Sequence, residues 1–99
     1  MKFAYREVND ISTTATAADH VIGVGTADDV ASVQLPPAAT VRSGFLLVIK
    51  DIVGNVNNFA ITISRGGTDT IDGNSSITIN MPYASINLVS NGYNQWHII

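Results

Sequence analysis

The chain has 99 residues, of which 45% are hydrophobic and 13% are charged, and its formal net charge at pH 7 is −3. This length fits one domain, and the absence of cysteine excludes disulfides and thiolate metal sites. The five lysines and arginines are scattered, so we expect neither nucleic acid nor an anionic membrane surface as a partner.

Residue types favour strands along the whole chain. The 12 isoleucines, 10 valines and 9 threonines are β-branched and fit a pleated sheet better than a helix. No stretch of ten residues combines a 3.6-residue apolar period with good helix formers. The sequence therefore predicts an all-β fold, a compact β-sandwich or jelly roll of about eight short antiparallel strands. No internal repeat is strong enough to predict a solenoid.

The first 19 residues are predicted to be an arm and its connection, and residues 20–99 the β-sandwich domain. Residues 1–11 have an extended pattern, and residues 12–19 are small, polar and without periodicity. Two alternatives remain open for the arm. It adds a strand to the sheet of a neighbouring molecule, or it is the first strand of its own sheet.

Residues 45–52 form the strongest predicted strand, after shorter strands at 20–24 and 31–35. Phe45, Leu47 and Ile49 share one face of this strand, and Leu46 and Val48 share the other. A strand that is apolar on both faces is typically buried on both. We expect one face to meet the internal core and the other to meet a second subunit.

The second half of the chain alternates short strands with turns. Strands are predicted at 59–64, around 77–79, at 84–88 and at 94–99, with a turn at Asp72–Gly73. Asn91–Gly92 is predicted to supply the two positive-φ residues of a type I′ hairpin turn.

No motif of catalysis or metal binding is evident, so we expect no catalytic residue, cofactor or metal. His20 and His97 have no third zinc ligand near them in sequence. Asp69, Asp72 and Asn74 surround a glycine turn, but their spacing departs from that of calcium loops.

The segment from residue 43 to residue 99 resembles a module of bacteriophage head-fibre, tail-fibre and capsid-decoration proteins. The pattern begins with proline-flanked small residues, here LPPAATVRSG, and a strand of the type F-x-x-I-K-D follows. It continues with N-F-A-I-T-I-S and then with T-I-D-G-x-x-S-I-T-I. It ends on a group whose members here are Tyr83, Ser85, Leu88, Ser90, Gly92, Trp96, Ile98 and Ile99.

The resemblance implies a trimer of compact β domains on the virion surface, made in the host cytoplasm. About 20 residues precede the β domain, which favours a small decoration (cement) protein on the capsid exterior, bound to the major capsid protein, over a long fibre. The expected trimer-interface residues are Phe45, Leu46, Val48 and Trp96. The expected capsid-anchoring residues are Phe3, Tyr5, Arg6 and Val8.

Two other functions remain open. One is a receptor- or glycan-binding tip of a tail or head fibre, for which Trp96 with Gln95 and His97 would be the binding group. The other is an enzyme such as a depolymerase fragment, which would require paired acidic residues on one face.

Overall fold

Two β-sheets enclose one core in the computed structural model, which describes residues 4–99. The all-β prediction is confirmed: the described residues contain ten strands, one single-turn 3₁₀ helix (Ala38–Thr40) and no α-helix. The strands are β1 (Tyr5–Val8), β2 (Ser12–Thr14), β3 (Val21–Val24), β4 (Ala31–Gln34), β5 (Leu46–Asp51), β6 (Ile61–Ser64), β7 (Thr70–Ile71), β8 (Ser76–Ile79), β9 (Ser85–Ser90) and β10 (Gln95–Ile98).

The chain crosses between the two sheets after each of the first eight strands. The six-stranded sheet has the order β1-β3-β5-β9-β10-β7, and the four-stranded sheet has the order β2-β4-β6-β8. The first six strands therefore wind through three rungs, each with one strand in either sheet: β1 and β2, then β3 and β4, then β5 and β6. No internal sequence repeat predicted this winding.

The prediction of antiparallel strands is wrong for most of the pairs. Of the eight strand pairs formed by the described residues, five are parallel and three are antiparallel. The winding is the reason, because a chain that completes a rung returns to the first sheet in its original direction. Among these strands, β9 and β10 alone are consecutive in the chain and paired as a ladder.

A hairpin turn joins the two sheets at one side. Asp72 and Gly73, at φ 48° and 84°, both lie in the left-handed region. They connect Ile71 and Asn74, each of which donates its N–H to the carbonyl of the other, at 2.8 and 2.9 Å. β7 leads into this turn and β8 follows it, so the two sheets are linked at this side. At the opposite side, β1 and β2 are the outermost strands.

The predicted type I′ turn at Asn91–Gly92 is wrong. Gly92 has φ 75°, but Asn91 is not among the residues with positive φ. Instead, Asn91 begins a longer loop, and its side-chain oxygen accepts the backbone N–H groups of Tyr93, Asn94 and Gln95 at 2.9–3.0 Å. A side chain that accepts three backbone N–H groups stabilises this loop, which is longer than the predicted two-residue turn.

The core lies between the inner faces of the sheets. The alternation predicted for residues 45–52 is confirmed, because Phe45, Leu47 and Ile49 are buried and Leu46 and Val48 are half-buried. The largest fully buried side chains are those of Trp96, Phe45, Ile22, Leu35, Leu47, Ile49, Ile63, Ile71, Ile79 and Leu88.

The segment predicted to be an arm pairs within its own chain. β1 runs parallel to β3 with Tyr5 opposite Val21, and β2 runs parallel to β4 with Thr13 opposite Val33. For β1, this is the second of the two alternatives, in which the strand belongs to its own sheet. β2 lies in the predicted connection (residues 12–19), where no strand was predicted. The first rung is thus continuous with the sheets of the remaining chain.

Candidate interaction surface

The outer face of the six-stranded sheet carries a block of apolar side chains. Val48 lies opposite Val21 on β3, and Leu46 lies opposite Val89 on β9. All four side chains are half-buried and none is charged. We call Val21, Leu46, Val48 and Val89 the apolar block; it spans three adjacent strands, which hold it in a fixed register.

Polar side chains border the apolar block on one side, and a tyrosine borders it on the other. Asn87 lies opposite Val48, and His97 lies opposite Val89. On the far side, Tyr5 lies opposite Val21, and its ring covers Gly23 so closely that a Cβ at this glycine would overlap the tyrosine hydroxyl. Tyr5 remains 58% exposed, so its ring extends the apolar surface toward the sheet edge.

A second group of residues on this face is organised by a buried carboxylate. Asp51 is 2% exposed, and its oxygens accept the backbone N–H groups of Val53 (3.0 Å), Gly54 (3.1 Å) and Tyr83 (2.9 Å). Burial alone would raise the pKa of Asp51, but these hydrogen bonds, with a smaller contribution from the charge of Lys50, hold the pKa below its ordinary value. The carboxylate thus fixes the loops that follow β5 and β8.

Tyr83 and Lys50 meet on the outside of these loops. The ring of Tyr83 lies over Gly54, and the ammonium group of Lys50 donates to the Tyr83 carbonyl and lies 5.8 Å from the centre of the ring. Tyr83 has φ 62°, a conformation that is uncommon for a tyrosine. The result is an exposed tyrosine ring paired with a half-buried lysine beside the apolar block.

Two of the four residues predicted for the trimer interface lie in the core. Phe45 and Trp96 are both buried and meet edge to face, with ring centres 6.4 Å apart. The indole N–H of Trp96 donates to the carbonyl of Pro36 at 3.2 Å, which satisfies its polar atom inside the molecule. Leu46 and Val48 remain on the outer face, so they alone among the four are available to a second subunit.

Of the four residues predicted to anchor the chain on a capsid, the three that the structure describes have different placements. Phe3 lies outside the described residues. Tyr5 is exposed on the outer face, and Val8 is buried in the core. Arg6 lies between the two sheets, where its guanidinium group binds within the chain.

Arg6 ties the first rung to the connection between β2 and β3. Its Nε and Nη2 donate to the two carboxylate oxygens of Asp19 at 2.9 and 3.1 Å, and its Nη1 donates to the hydroxyl of Thr13 at 3.2 Å. Burial alone would raise the pKa of Asp19, but the hydrogen bonds from Arg6 and from the Thr16 N–H hold it below its ordinary value. The same bond to Asp19 raises the pKa of Arg6.

The residues considered as metal ligands are engaged in separate contacts. Asp69 accepts the N–H of Ala38 at 2.7 Å, whereas Asp72 lies 3.5 Å from Nδ1 of His97. His20 packs against Phe45, with ring centres 5.3 Å apart. Across residues 4–99, no three His, Cys, Asp or Glu side chains converge as a metal site, no pocket is present, and no helix has the length and apolarity to cross a membrane.

Sequence reasoning missed the polar residues that organise this surface. Asp51 carried a local signal, because an aspartate between a strand and a Val-Gly-Asn turn often binds the following backbone. Arg6 and Asp19 are 13 positions apart and gave no local signal. Gly23 gave none either, since its role depends on a ring from the neighbouring strand.

Comparison with known protein families and curated proteins identifies no relative of the chain. No protein-family model matches the chain, and no curated protein matches it significantly. Support for a function therefore rests on the surface described above and on the resemblance of residues 43–99.

Proposed function

We propose that the protein is a capsid decoration protein, which binds the outer surface of an assembled bacteriophage head as a homotrimer and stabilises the shell. The observation that carries this proposal is the apolar block on the outer face of the six-stranded sheet. The resemblance of residues 43–99 to virion surface proteins supplies the biological setting. The partners are two further copies of the chain and the major capsid protein, on the capsid exterior.

The apolar block supports a protein–protein contact for energetic reasons. Contiguous apolar side chains on a soluble protein often mark interaction surfaces. Each square ångström of apolar surface that is removed from water contributes about 25 cal/mol. The block lies on central, paired strands, so little conformational entropy would be lost when a partner covers it. We assign it to the contact between copies.

The stabilising mechanism is linkage between binding and assembly. A ligand that binds the assembled lattice and not the free subunits shifts the equilibrium toward the lattice by mass action. A trimer has three equivalent attachment points. Once one chain is bound, the other two are held at a high effective concentration near their own sites, so the trimer binds more tightly than a single chain does. The protein would act through occupancy and needs no chemical step.

The mass of the protein in solution tests the contact between copies. Light scattering after size exclusion should give about three times the chain mass of 10.5 kDa. Val48→Lys places a charge in the apolar block and should give a single-chain mass. Thr62→Lys is the matched control, because Thr62 is half-buried on an inner strand of the other sheet, and it should leave the trimer intact. A single-chain mass for the wild-type protein would remove the physical support for the trimer.

Binding to heads tests the biological setting. The protein should co-sediment with heads of the phage that encodes it and should raise the temperature at which those heads release DNA. It should not co-sediment with the unassembled major capsid protein. Binding to free subunits as tight as binding to heads would contradict the linkage mechanism.

The alternative function, a receptor- or glycan-binding tip, requires Trp96 at the surface. Trp96 is buried and bonded to Pro36, so it cannot stack on a sugar at the surface. A glycan array still separates the two proposals. Selective binding of one glycan class together with no binding to heads would favour the fibre tip.

A further inference from the structure

The first rung leaves one strand edge open, and the backbone of β1 faces that edge. Within the described residues, β1 is the outermost strand of the six-stranded sheet and pairs only with β3. The N–H of Val21 donates to the carbonyl of Ala4 at 2.9 Å, and the N–H of Gly25 donates to that of Val8 at 2.7 Å. Because alternate residues of a strand face the same neighbour, the N–H and C=O groups of Tyr5 and Glu7 point outward.

The neighbouring edge of β2 is already partly used. Its pairing with β4 is flanked by bonds from Ser32 to Ile11 (2.9 Å) and from Ala15 to Gln34 (2.8 Å), which turns the backbone of Thr14 outward. The carbonyl of Thr14 accepts Nη2 of Arg6 at 3.4 Å. The edge of β1 is therefore the better acceptor of an added strand.

The charge of this edge is negative. Glu7 and Asp10 are both exposed, on β1 and on the connection that follows it. Within residues 4–14, Arg6 is the only cationic residue, and its charge is paired with Asp19 at 2.9 Å. A partner strand with basic side chains would complement the edge.

Pairing of β1 with β1 of a second copy leaves Glu7 without a basic partner. A two-fold antiparallel arrangement that keeps the inner faces aligned centres on Tyr5, Arg6 or Glu7. The last two set like charges directly opposite each other, which is destabilising, and none of the three sets Glu7 opposite a basic residue. A basic segment of a different chain therefore complements this edge better than a second copy does.

We propose that the edge of β1 accepts an extended, basic segment of a partner protein as an added strand of the six-stranded sheet. Main-chain hydrogen bonds to Tyr5 and Glu7 supply the attachment, and Glu7 supplies the preference for basic segments. This inference rests on the proposed function in taking the partner to be the shell protein. It differs from the alternative in which the arm donates a strand to a neighbouring molecule, because here β1 receives one.

A proline at position 7 tests the edge without disturbing the internal ladder. The N–H of Glu7 points away from β3, so Glu7→Pro removes an outward donor and no bond to β3. Arg6 is already extended, which is the conformation that a residue before proline prefers. Glu7→Gln is the matched variant, because it keeps the N–H and removes the charge. Deleting residues 1–11 is less informative, since it also uncovers β3 and the core.

The probe is an acetylated eight-residue peptide of alternating lysine and valine, with a glutamate–valine peptide as its control. In the wild-type protein, the lysine peptide should slow hydrogen exchange at the amides of Tyr5 and Glu7 several-fold and leave that of Ile49 unchanged. Glu7→Pro should weaken the binding at least tenfold, and Glu7→Gln should weaken it less. Slowed exchange in the wild-type protein is decisive even if Glu7→Pro does not fold.

Two results would overturn the proposal: no slowed exchange at Tyr5 and Glu7, or equal binding of both peptides. Heads of the encoding phage separate this failure from that of the proposed function. If the wild-type protein binds the lysine peptide at β1 but binds no heads, the decoration function fails and the strand-accepting edge stands. If wild-type and Glu7→Pro proteins bind heads equally, the edge proposal fails and the decoration function stands.

Discussion

At the scale of single residues, a few polar side chains determine the shape of the loops around the candidate surface. Asp51, Asn91 and Asp19 each accept more than one backbone or side-chain donor. A buried or half-buried donor that loses its acceptor costs far more than an exposed one. Asp51 and Asp19, whose donors are partly buried, are therefore the positions at which a conservative substitution should have a large effect, whereas the donors of Asn91 are exposed.

Replacing Asp51 by asparagine should destabilise the protein markedly. The amide has one acceptor oxygen, so its NH₂ group would face one of the N–H groups of Val53, Gly54 and Tyr83 that the carboxylate now accepts. An unsatisfied buried donor costs about 1–3 kcal/mol. Urea denaturation measures this loss, and Asp28→Asn at an exposed loop position is the control, expected within about 0.5 kcal/mol of wild type. Equal stabilities of the two variants would contradict the role of Asp51.

Alanine substitutions at two glycines with similar φ distinguish the cost of backbone strain from the cost of steric overlap. Gly92 (φ 75°) and Gly73 (φ 84°) both lie in the left-handed region, where an alanine costs about 1 kcal/mol. A Cβ at Gly92 would lie 2.7 Å from the Ser43 nitrogen, whereas a Cβ at Gly73 meets no atom within 4 Å. Gly92→Ala should therefore lower the urea midpoint more than Gly73→Ala does. Equal midpoints would show that Ser43 moves aside freely.

At the scale of elements, one ion pair links the two strands of the first rung and the connection that follows them. Arg6 extends from β1 to Asp19 in the connection before β3 and to Thr13 on β2. The guanidinium group thereby links three consecutive segments of chain. The bidentate contact with Asp19 is the geometry in which arginine and lysine are not interchangeable.

Breaking this ion pair should lower the free energy of local opening in the first rung, with little effect on that of the third. Asp19→Asn should speed hydrogen exchange at Val8 more than at Ile49, as measured by NMR. The effect should depend on pH, because the pKa of Asp19 is lower in the folded chain than in the unfolded chain. Its stabilising contribution is complete above about pH 4, the ordinary range of aspartate, and is lost as pH falls through the folded pKa. A difference between wild type and variant that persists unchanged to low pH would contradict this assignment.

At the scale of the whole molecule, local patterns predicted most of the strands, though not β2, and did not predict how the strands are arranged. Alternation places Ile61 and Ile63 in the core because a strand has a two-residue period that neighbouring residues reveal. The winding has no such signal. Tyr5 pairs with Val21, sixteen positions along, and Val21 pairs with Val48, twenty-seven along, so the rungs share no repeat length.

The same reason explains the errors at the candidate surface. Sequence showed that residues 45–52 are apolar on both sides, but it could not show which long-range partner covers each side. Phe45 and Trp96 meet on the inner side of the six-stranded sheet because β9 lies between β5 and β10. Leu46 and Val48 lie outside because they alternate with the buried positions.

The wound arrangement should make stability increase from the first rung to the third. The first rung has an open edge and places only Val8 in the apolar core from its two strands, whereas the third rung has paired neighbours on both sides and contributes four buried apolar residues, Leu47, Ile49, Ile61 and Ile63. In stacked folds, a terminal unit has one interface and unfolds locally at a lower free energy than inner units.

Native-state hydrogen exchange measures this gradient amide by amide. The free energy of opening should be lowest at Arg6 and Val8, intermediate at Ile22 and Val33, and close to the global unfolding free energy at Ile49 and Ile63. A strand that is added to the edge of β1 would give the first rung a second interface and raise its opening free energy toward that of the third. The same opening free energy at all six amides would show that the rungs unfold as one unit and that the open edge has no separate mobility.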